Sequence, residues 1–239
     1  MAEHTIKQFD LELNDLKSRV LTMGGIVDQQ MRQAMKGLYA ADLNLLNTVE
    51  EGDSRLDEAE VQLDMVCNQI IAKRQPTAID LRIIIGVQKT ALELEKAGNK
   101  AVKIARAARA LHEKHPLFTP TVELRHLAED ALDMLRQSLD AFARMDSLAA
   151  ADVLQADDLV DAEYRSITRQ LITFMMEDPR TISLSLEIMN MAKAIERVAD
   201  HARAVAENII YISAGLNVRH ISVDEVRSQL VGQPPQQNG

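Results

Sequence analysis

The stretch RQPTAIDLRIIIGVQKTALELEKAGNKAVKIARAARA, residues 74 to 110, indicates most clearly which fold the chain adopts. Gln75-Pro76 ends any preceding helix, because proline disfavours helical geometry at the residue before it. Thr77 stands where a helix cap belongs, and Asp80 lies in the first turn, where the helix dipole favours negative charge. Apolar residues then recur at steps of three and four, the spacing of one helical face. They are Ile84, Val87, Ala91, Leu94, Gly98, Val102, Ala105 and Ala108.

Two similar stripes precede this stretch. The first predicts one long helix and consists of Phe9, Leu13, Leu16, Val20, Met23, Val27, Met31, Ala34, Leu38 and Ala41. The second predicts an uninterrupted helix and consists of Val49, Gly52, Leu56, Ala59, Leu63, Val66 and Ile70. After the third helix the segment HEKHPLFTP breaks the pattern, and we expect Thr119 to cap a fourth helix that has Pro120 at its first position.

The pattern then repeats. The second stripe, moved by 104 positions, lands on Val153, Ala156, Val160, Glu163, Ile167, Gln170 and Phe174, of which five are apolar. The third, moved by 101 positions, lands on Ser185, Ile188, Ala192, Ile195, Ala199, Arg203, Ala206 and Ile209. The sequence therefore predicts an all-α protein of two tandem, pseudo-symmetric three-helix bundles, covering residues 1–114 and 115–228. The polar, proline-broken segment 229–239 is expected to be disordered.

Composition narrows the classes of partner and of chemistry. A formal net charge of -9 gives no general attraction to a phosphate backbone, so nucleic acid is not an expected partner. No run of about 18 apolar residues marks a membrane-spanning helix, so we expect a soluble protein. Cys67 is the single cysteine and sits in an apolar helical pattern, as a buried hydrophobe would. No phosphate-binding loop or nucleophile elbow is present, so no catalytic residue is predicted.

Carboxylates at helical spacing carry the candidate chemistry. Asp53, Asp57, Glu60 and Asp64 lie along one edge of the second helix, and Asp157 and Asp161 occupy the duplicated positions. Each third helix adds a pair one turn apart, Glu95 with Asn99 and Glu196 with Asp200. Pairs at this spacing on facing helices can converge oxygen ligands on a cation. A solvated acidic face relieved by lysine and arginine explains the same spacing and stays open as the alternative.

Histidines add little to this pattern. Glu123 and His126 form one E-x-x-H, which ferritin-like di-iron bundles use in duplicate, and no second copy is present. We therefore interpret this pair as exposed and solvated. His201 points about 100° away from Asp200 on the helix, so a surface or hydrogen-bonded histidine is expected there.

Several stretches together resemble the PhoU family of phosphate-uptake regulators. They are MGGIVDQQ (23–30), EGD (51–53), CNQIIAKRQPTAIDLRIII (67–85), ALELEKAGN (91–99), DAFARMD (140–146), RQLITFMMEDPRTI (169–182) and AIERVADHARAVAENI (194–209). These stretches span nearly the whole chain. RQPT and MMEDPRTI, each followed by its own acidic pair, make a specific combination.

The resemblance implies a cytoplasmic homodimer that is not an enzyme and that meets the membrane only through its partners. It implies a negative regulator of phosphate uptake and of the phosphate-starvation response, which contacts the ATPase subunit of a phosphate ABC transporter and a phosphate-sensing histidine kinase. It also implies metal clusters, for which Fe, Mn, Mg and Zn are the candidate metals. Their ligands map onto Asp53, Asp57, Glu95, Asn99, Asp157, Asp161, Glu196 and Asp200. The family pattern has Asp where Asn99 stands, so we expect the second-half site to bind metal more tightly.

Two other classes stay open beside this one. A ferritin-like carboxylate metal protein would turn over iron with oxygen, and a purely structural helical adaptor would bind partners without its acidic positions.

Overall fold

The computed structural model describes residues 2–115 and 122–231, with side chains from residue 8 onward. The first half forms helices α1 (Ala2–Ala40), α2 (Leu43–Glu51), α3 (Asp53–Arg74) and α4 (Ala78–Lys114). The second half forms α5 (Arg125–Arg144), α6 (Ser147–Glu177), a short 3₁₀ turn (Pro179–Thr181), α7 (Ile182–Ala214) and α8 (Val223–Val231). No strand occurs in these two ranges, and the predicted all-α class is confirmed.

The helices of the two halves pack in corresponding places. α1, α4, α7 and α5 contact one another around a ring, and α4 against α7 is the most extensive of these contacts. α2 and α3 cover α1 and α4, while α6 covers α5 and α7 in the corresponding place. The buried apolar residues form one continuous core that runs through both halves. The tandem-bundle prediction is confirmed, and the two bundles are joined through their long third helices.

The second predicted helix is interrupted, which corrects the expectation of a continuous helix. α2 ends and α3 begins at Gly52, whose carbonyl oxygen accepts a hydrogen bond of 3.2 Å from Gln30 Nε2 of α1. Glycine is the least helix-stabilising residue apart from proline, and an outside hydrogen-bond donor favours a break there. Ala156 occupies the duplicated position, and α6 runs through it without interruption.

Helix ends also differ from the predictions. Thr77 precedes α4 in an extended conformation, but its side chain makes no capping hydrogen bond, while Asp80 does lie in the first turn. The predicted cap Thr119 and the predicted first position Pro120 lie outside the described residues, and α5 begins at Arg125.

The C-terminal segment contains a helix that the stripes did not predict. α8 includes residues 229–231 of the segment expected to be disordered, and residues 232–239 lie outside the description.

Cys67 is fully buried in α3, as expected, and burial raises the pKa of its thiol to about 12. Across the described parts of the chain, no helix has both the length and the apolar character that crossing a bilayer requires.

Candidate functional site

The first-half candidates lie where α3 packs on α4. Asp57, Glu60 and Asp64 of α3 face the same region as Glu95 of α4, and they repel one another. Burial, followed by the charges of Asp64, Glu95 and Asp57, raises the pKa of the Glu60 carboxyl. We call the surface formed by Asp57, Glu60, Asp64 and Glu95 the acidic face.

Few basic side chains lie close enough to pair with the first-half carboxylates. Asp53 has Arg106 Nη2 at 3.3 Å from its Oδ2, but none of the four acidic-face residues has a Lys, Arg or His partner within 4.0 Å in the described residues. Asp64 instead accepts amide hydrogen bonds from Asn68 (3.0 Å) and Gln88 (2.6 Å). The acidic face therefore carries uncompensated negative charge.

Asn99 is turned toward the neighbouring carboxylate. Its side-chain Nδ2 donates a hydrogen bond to Oε1 of Glu95, one turn earlier on α4. An amide in this orientation neutralises no charge, but it does satisfy one lone pair of Glu95.

The second-half candidates lie between α6 and α7, and each of the four carboxylates is paired with a basic side chain. Arg203 Nη1 donates to Asp157 Oδ2 at 2.7 Å, and Arg197 Nη1 donates to Asp200 Oδ2 at 2.7 Å. The full set of pairs is Asp157 with Arg203, Asp161 with Arg165, Glu196 with Lys193, and Asp200 with Arg197. Four acids and four bases balance, so the second-half set has no net charge.

Two of these paired acids are buried. The side chains of Asp157 and Glu196 are 8% and 9% exposed. Burial raises the pKa of both carboxyls, and the basic partners Arg203 and Lys193 oppose that shift. Glu196 Oε2 is buried without a hydrogen bond, and Arg197 Nε lies 3.8 Å from it.

The predicted carboxylates share faces but do not converge on one point. Among the described residues, a group of three acidic or histidine ligand atoms within 4.8 Å of one another occurs only at His126, Asp130 and Glu163. His126 Nδ1 lies 2.9 Å from Glu163 Oε2 and 3.3 Å from Asp130 Oδ2.

Glu123 and His126 are both exposed, as expected, but each has a different partner. Glu123 of the E-x-x-H instead accepts hydrogen bonds from the Tyr39 hydroxyl and the Arg125 backbone N–H. Asp130 is four residues beyond His126 on the same helix, a spacing that the sequence offered. Glu163 comes from α6, and no local spacing indicates it.

Both halves of the chain match a family of known proteins. A family model for the PhoU domain matches residues 20–108 and 124–209. The chain belongs to the PhoU family. The phosphate-specific transport system accessory protein PhoU of Escherichia coli is 41% identical over 96% of this chain and 95% of its own length. Its homologue in Pseudomonas aeruginosa is likewise 41% identical, over 96% of this chain and 95% of its own length.

Solved PhoU structures share the fold. The crystal structure of PhoU from Pseudomonas aeruginosa superposes with a TM-score of 0.83 at 42% identity, covering 87% of this chain and 100% of that chain. The regulatory protein PhoU from Streptococcus pneumoniae gives a TM-score of 0.81 at 25% identity, covering 88% of this chain and 99% of that chain.

The two halves of this PhoU chain do not suit a metal ion equally. Burial raises the pKa of Glu60 most, and a cation at the acidic face would relieve the repulsion that raises it further. A cation among the second-half carboxylates would first have to displace Arg203, Lys193 or Arg197 from ion pairs. The pairing therefore favours the opposite order of affinity from the one that Asn99 alone led us to expect.

One contact of this PhoU chain joins the halves through a histidine. His201 Nδ1 of α7 donates to Glu93 Oε2 of α4 at 2.8 Å, and both side chains are largely buried. His201 is thus hydrogen-bonded, as expected, and it is directed at the other half rather than at Glu196 or Asp200. Burial acts to raise the pKa of the Glu93 carboxyl, but the hydrogen bonds and charges of His201 and Lys96 outweigh it and lower that pKa.

A half-open groove lies between α1 and α5. It has a volume of about 450 Å³, with an apolar floor that includes Met35 and Leu132, and Arg32, Lys36 and Arg125 at its sides. Arg125 lies over the Tyr39 ring, 4.6 Å from its centroid. Glu129 is the only acid in the lining, so the groove holds no nucleophile and base pair.

Proposed function

We propose that this chain is a cytoplasmic accessory protein of the phosphate-specific transport system and a negative regulator of the phosphate-starvation response. It acts by contact with the transporter's ATPase subunit and with a phosphate-sensing histidine kinase, without catalysis. The observation that carries the proposal is the match of both halves, along nearly the full length, to accessory proteins of that system.

The outer surface of α3 suits a docking role. Val61 and Met65 are more than half exposed, and each follows Asp57 by one or two turns on the same row of the helix. Exposed apolar side chains beside uncompensated carboxylates offer both buried contact area and charge complementarity to a basic partner surface. We propose that partners dock on this α3 surface and the acidic face beside it.

A metal ion has a place in this scheme. We propose that the acidic face, with Asn99 as a neutral oxygen ligand, binds a divalent cation, for which all-oxygen ligands favour Mg²⁺ or Mn²⁺. The cation would supply positive charge that cancels the repulsion on α3 and changes how the surface meets a basic partner. Asp53 would contribute only after Arg106 moves aside.

Phosphate status would then be relayed by a shift among complexes. A regulator with different affinities for the kinase in its two signalling states shifts the population of those states without chemistry. A homodimer would carry two copies of the docking surface. Sedimentation of the purified chain measures whether it is a dimer.

The test compares two methionines. Purified wild type should bind the immobilised ATPase subunit and the kinase sensory region, Met65→Asp should weaken both contacts, and Met176→Asp should weaken neither. Met176 is 80% exposed on α6 and serves as the matched control. Deletion of the gene should raise a phosphate-starvation reporter at high phosphate. Absence of binding to both partners, together with an unchanged reporter, would contradict the proposal.

The group of His126, Asp130 and Glu163 could hold a metal ion, which favours a ferritin-like metal oxidase as a second candidate function. A ferritin-like metal oxidase would consume oxygen with Fe²⁺ and would lose that turnover in Glu163→Gln. A purely structural adaptor would bind partners equally well with Asp57 and Glu95 changed to Ala. Either result would replace the regulatory proposal for the acidic residues concerned.

A further inference from the structure

A small polar cavity lies between α4, α7 and the connection that follows α7. Its volume is about 90 Å³, which corresponds to roughly three water molecules at about 30 Å³ each. Its lining consists of Lys89, Glu207, Asn208, Tyr211, Asn217 and Arg219.

The connection after α7 is held in one place. Gly215 adopts φ +73°, and a Cβ at this position would lie 2.0 Å from Arg82 Nη1, so α4 packs directly on the turn. Val218 is then buried, which fixes the residues beside it. Asn217 Oδ1 accepts a hydrogen bond of 3.4 Å from the Arg219 backbone N–H. Arg219 and Asn217 therefore line the cavity from the side of the connection.

One polar group in the cavity lacks a partner. Asn208 is 4% exposed, and its side-chain Nδ2 is buried with no hydrogen bond. A buried amide donor without an acceptor costs free energy, so an occupant that accepts a hydrogen bond stabilises the structure. The unpaired amide of Asn208 therefore favours a ligand that accepts a hydrogen bond.

The charged groups around Asn208 favour an anion. Lys89 makes no ion pair in the described residues, and its Nζ lies 4.9 Å from the centroid of the Tyr211 ring. Arg219 Nε lies 3.7 Å from Glu207 Oε2, so the lining carries two cations and one carboxylate. This local excess of positive charge occurs on a chain whose net charge is -9.

Glu207 adds selectivity among anions. Its side chain is 14% exposed and is held by Arg203, whose Nε lies 3.5 Å from Oε1. A carboxylate accepts a hydrogen bond from an oxyanion that still carries a proton, but it repels one that carries none. Near neutral pH phosphate carries at least one proton, whereas sulfate carries none.

We propose that the cavity of Lys89, Asn208 and Arg219 binds one inorganic phosphate, selected by Glu207 over fully ionised oxyanions. The volume fits one tetrahedral oxyanion, and a sugar or base attached to it would have to lie outside the cavity. The choice of phosphate as probe rests on the proposed function, but binding is a property of the isolated chain.

The experiment is equilibrium dialysis of the purified full-length chain with radiolabelled phosphate at constant ionic strength, with sulfate and adenosine monophosphate as competitors. Wild type should bind one phosphate per chain, and a tenfold excess of either competitor should leave it bound. Lys89→Gln and Arg219→Gln should each weaken binding by about tenfold, because each removes a charge-assisted hydrogen bond. Arg180→Gln, at an exposed arginine elsewhere, should change nothing.

Glu207→Gln tests selectivity separately, because an amide no longer repels sulfate. In this variant sulfate should displace phosphate, while circular dichroism confirms the helical fold of every variant. No saturable phosphate binding, or equal binding in the Lys89 and Arg219 variants, would show a cavity that holds water only and would overturn the proposal. Displacement by sulfate in wild type would overturn it as well. Binding to the ATPase subunit and kinase is measured apart, so its outcome is distinguishable from this one.

Discussion

Arg203 of α7 donates a 2.7 Å hydrogen bond to the buried carboxylate of Asp157 on α6. The first half has a looser counterpart, because Arg106 of α4 reaches Asp53 of α3 at 3.3 Å. Arg106 is one turn further along its helix than the position that duplicates Arg203, and its side chain is 59% exposed. The duplication thus keeps an arginine tether between the second and third helices but buries it in only one half.

Arg203→Gln should therefore lower the free energy of unfolding by about 2 to 3 kcal/mol, because it leaves Asp157 buried without its cation. Arg106→Gln, the matched control, should cost less than about 1 kcal/mol, as exposed ion pairs do. Urea unfolding followed by circular dichroism measures both. Equal losses would contradict the difference in burial between the two tethers.

Cation binding should also separate the halves. Mn²⁺ should raise the melting temperature of the wild type through linked binding. Asp57→Asn/Glu95→Gln should weaken the apparent affinity about tenfold or more, whereas Asp161→Asn/Asp200→Asn should change it little, because those acids are already paired with Arg165 and Arg197. Asn99→Asp should strengthen binding by adding a charge to the acidic face. The reverse pattern, with loss only in the second-half variant, would restore the order expected from Asn99 alone.

The contact between His201 and Glu93 predicts a pH dependence. Because the pKa of Glu93 is lowered below its ordinary 4.5, its contribution to stability is present above that value and is lost as pH falls through the folded-state pKa. Glu93→Gln should cost about 1 to 2 kcal/mol at pH 7, and the difference from wild type should shrink below about pH 4. Unfolding at both pH values tests this, with exposed Glu187→Gln as the control. A difference that stays constant with pH would count against the contact.

Periodicity predicted the core well, because an apolar stripe records which face of a helix is buried. Val87 and Leu94 of the third stripe are fully buried, and so is Val153 of the repeated one. The break at Gly52 was not predictable in this way, because Gln30 comes from another helix and supplies the donor that favours it.

The ion pairs were even less predictable from the sequence. Spacing placed Asp157 and Asp161 on one edge of α6, but Arg203 is 46 residues from Asp157, and its reach depends on the register between two helices. Glu93 and His201 are 108 residues apart and meet only because α4 packs on α7. Local patterns predict which residues share a helix face, but they do not predict which basic side chain pairs with each carboxylate.

His126 should titrate above its ordinary pKa of 6.5. Its hydrogen bond to Glu163 is the first cause of the raised pKa, followed by the charges of Glu163 and Asp130. The pair's contribution to stability is therefore present below 6.5 and is lost as pH rises through the raised pKa. Glu163→Gln should lower the His126 pKa in a nuclear magnetic resonance titration, and the neighbouring Asp158→Asn should leave it in place. An unchanged value in Glu163→Gln would show that the two side chains do not interact in solution.

The close approach of α4 to α7 depends on Gly86. A Cβ at this position would lie 2.2 Å from Ile212 Cγ1, and Ile212 is buried and stiff about χ1. Gly86→Ala should cost about 1 to 3 kcal/mol through overpacking, even though alanine favours helices by up to about 1 kcal/mol over glycine. A Cβ at Gly25 of α1 would have open space within 4 Å, so Gly25→Ala should instead stabilise the chain by up to about 1 kcal/mol.

Opposite signs for these two glycine substitutions would identify the helix contact, rather than glycine itself, as the cause. The double variant Gly86→Ala/Ile212→Ala should be more stable than the sum of its single changes predicts, because the smaller side chain at 212 makes room for the new methyl group. Strict additivity in thermal and urea unfolding would mean that Gly86 does not set the distance between the two halves.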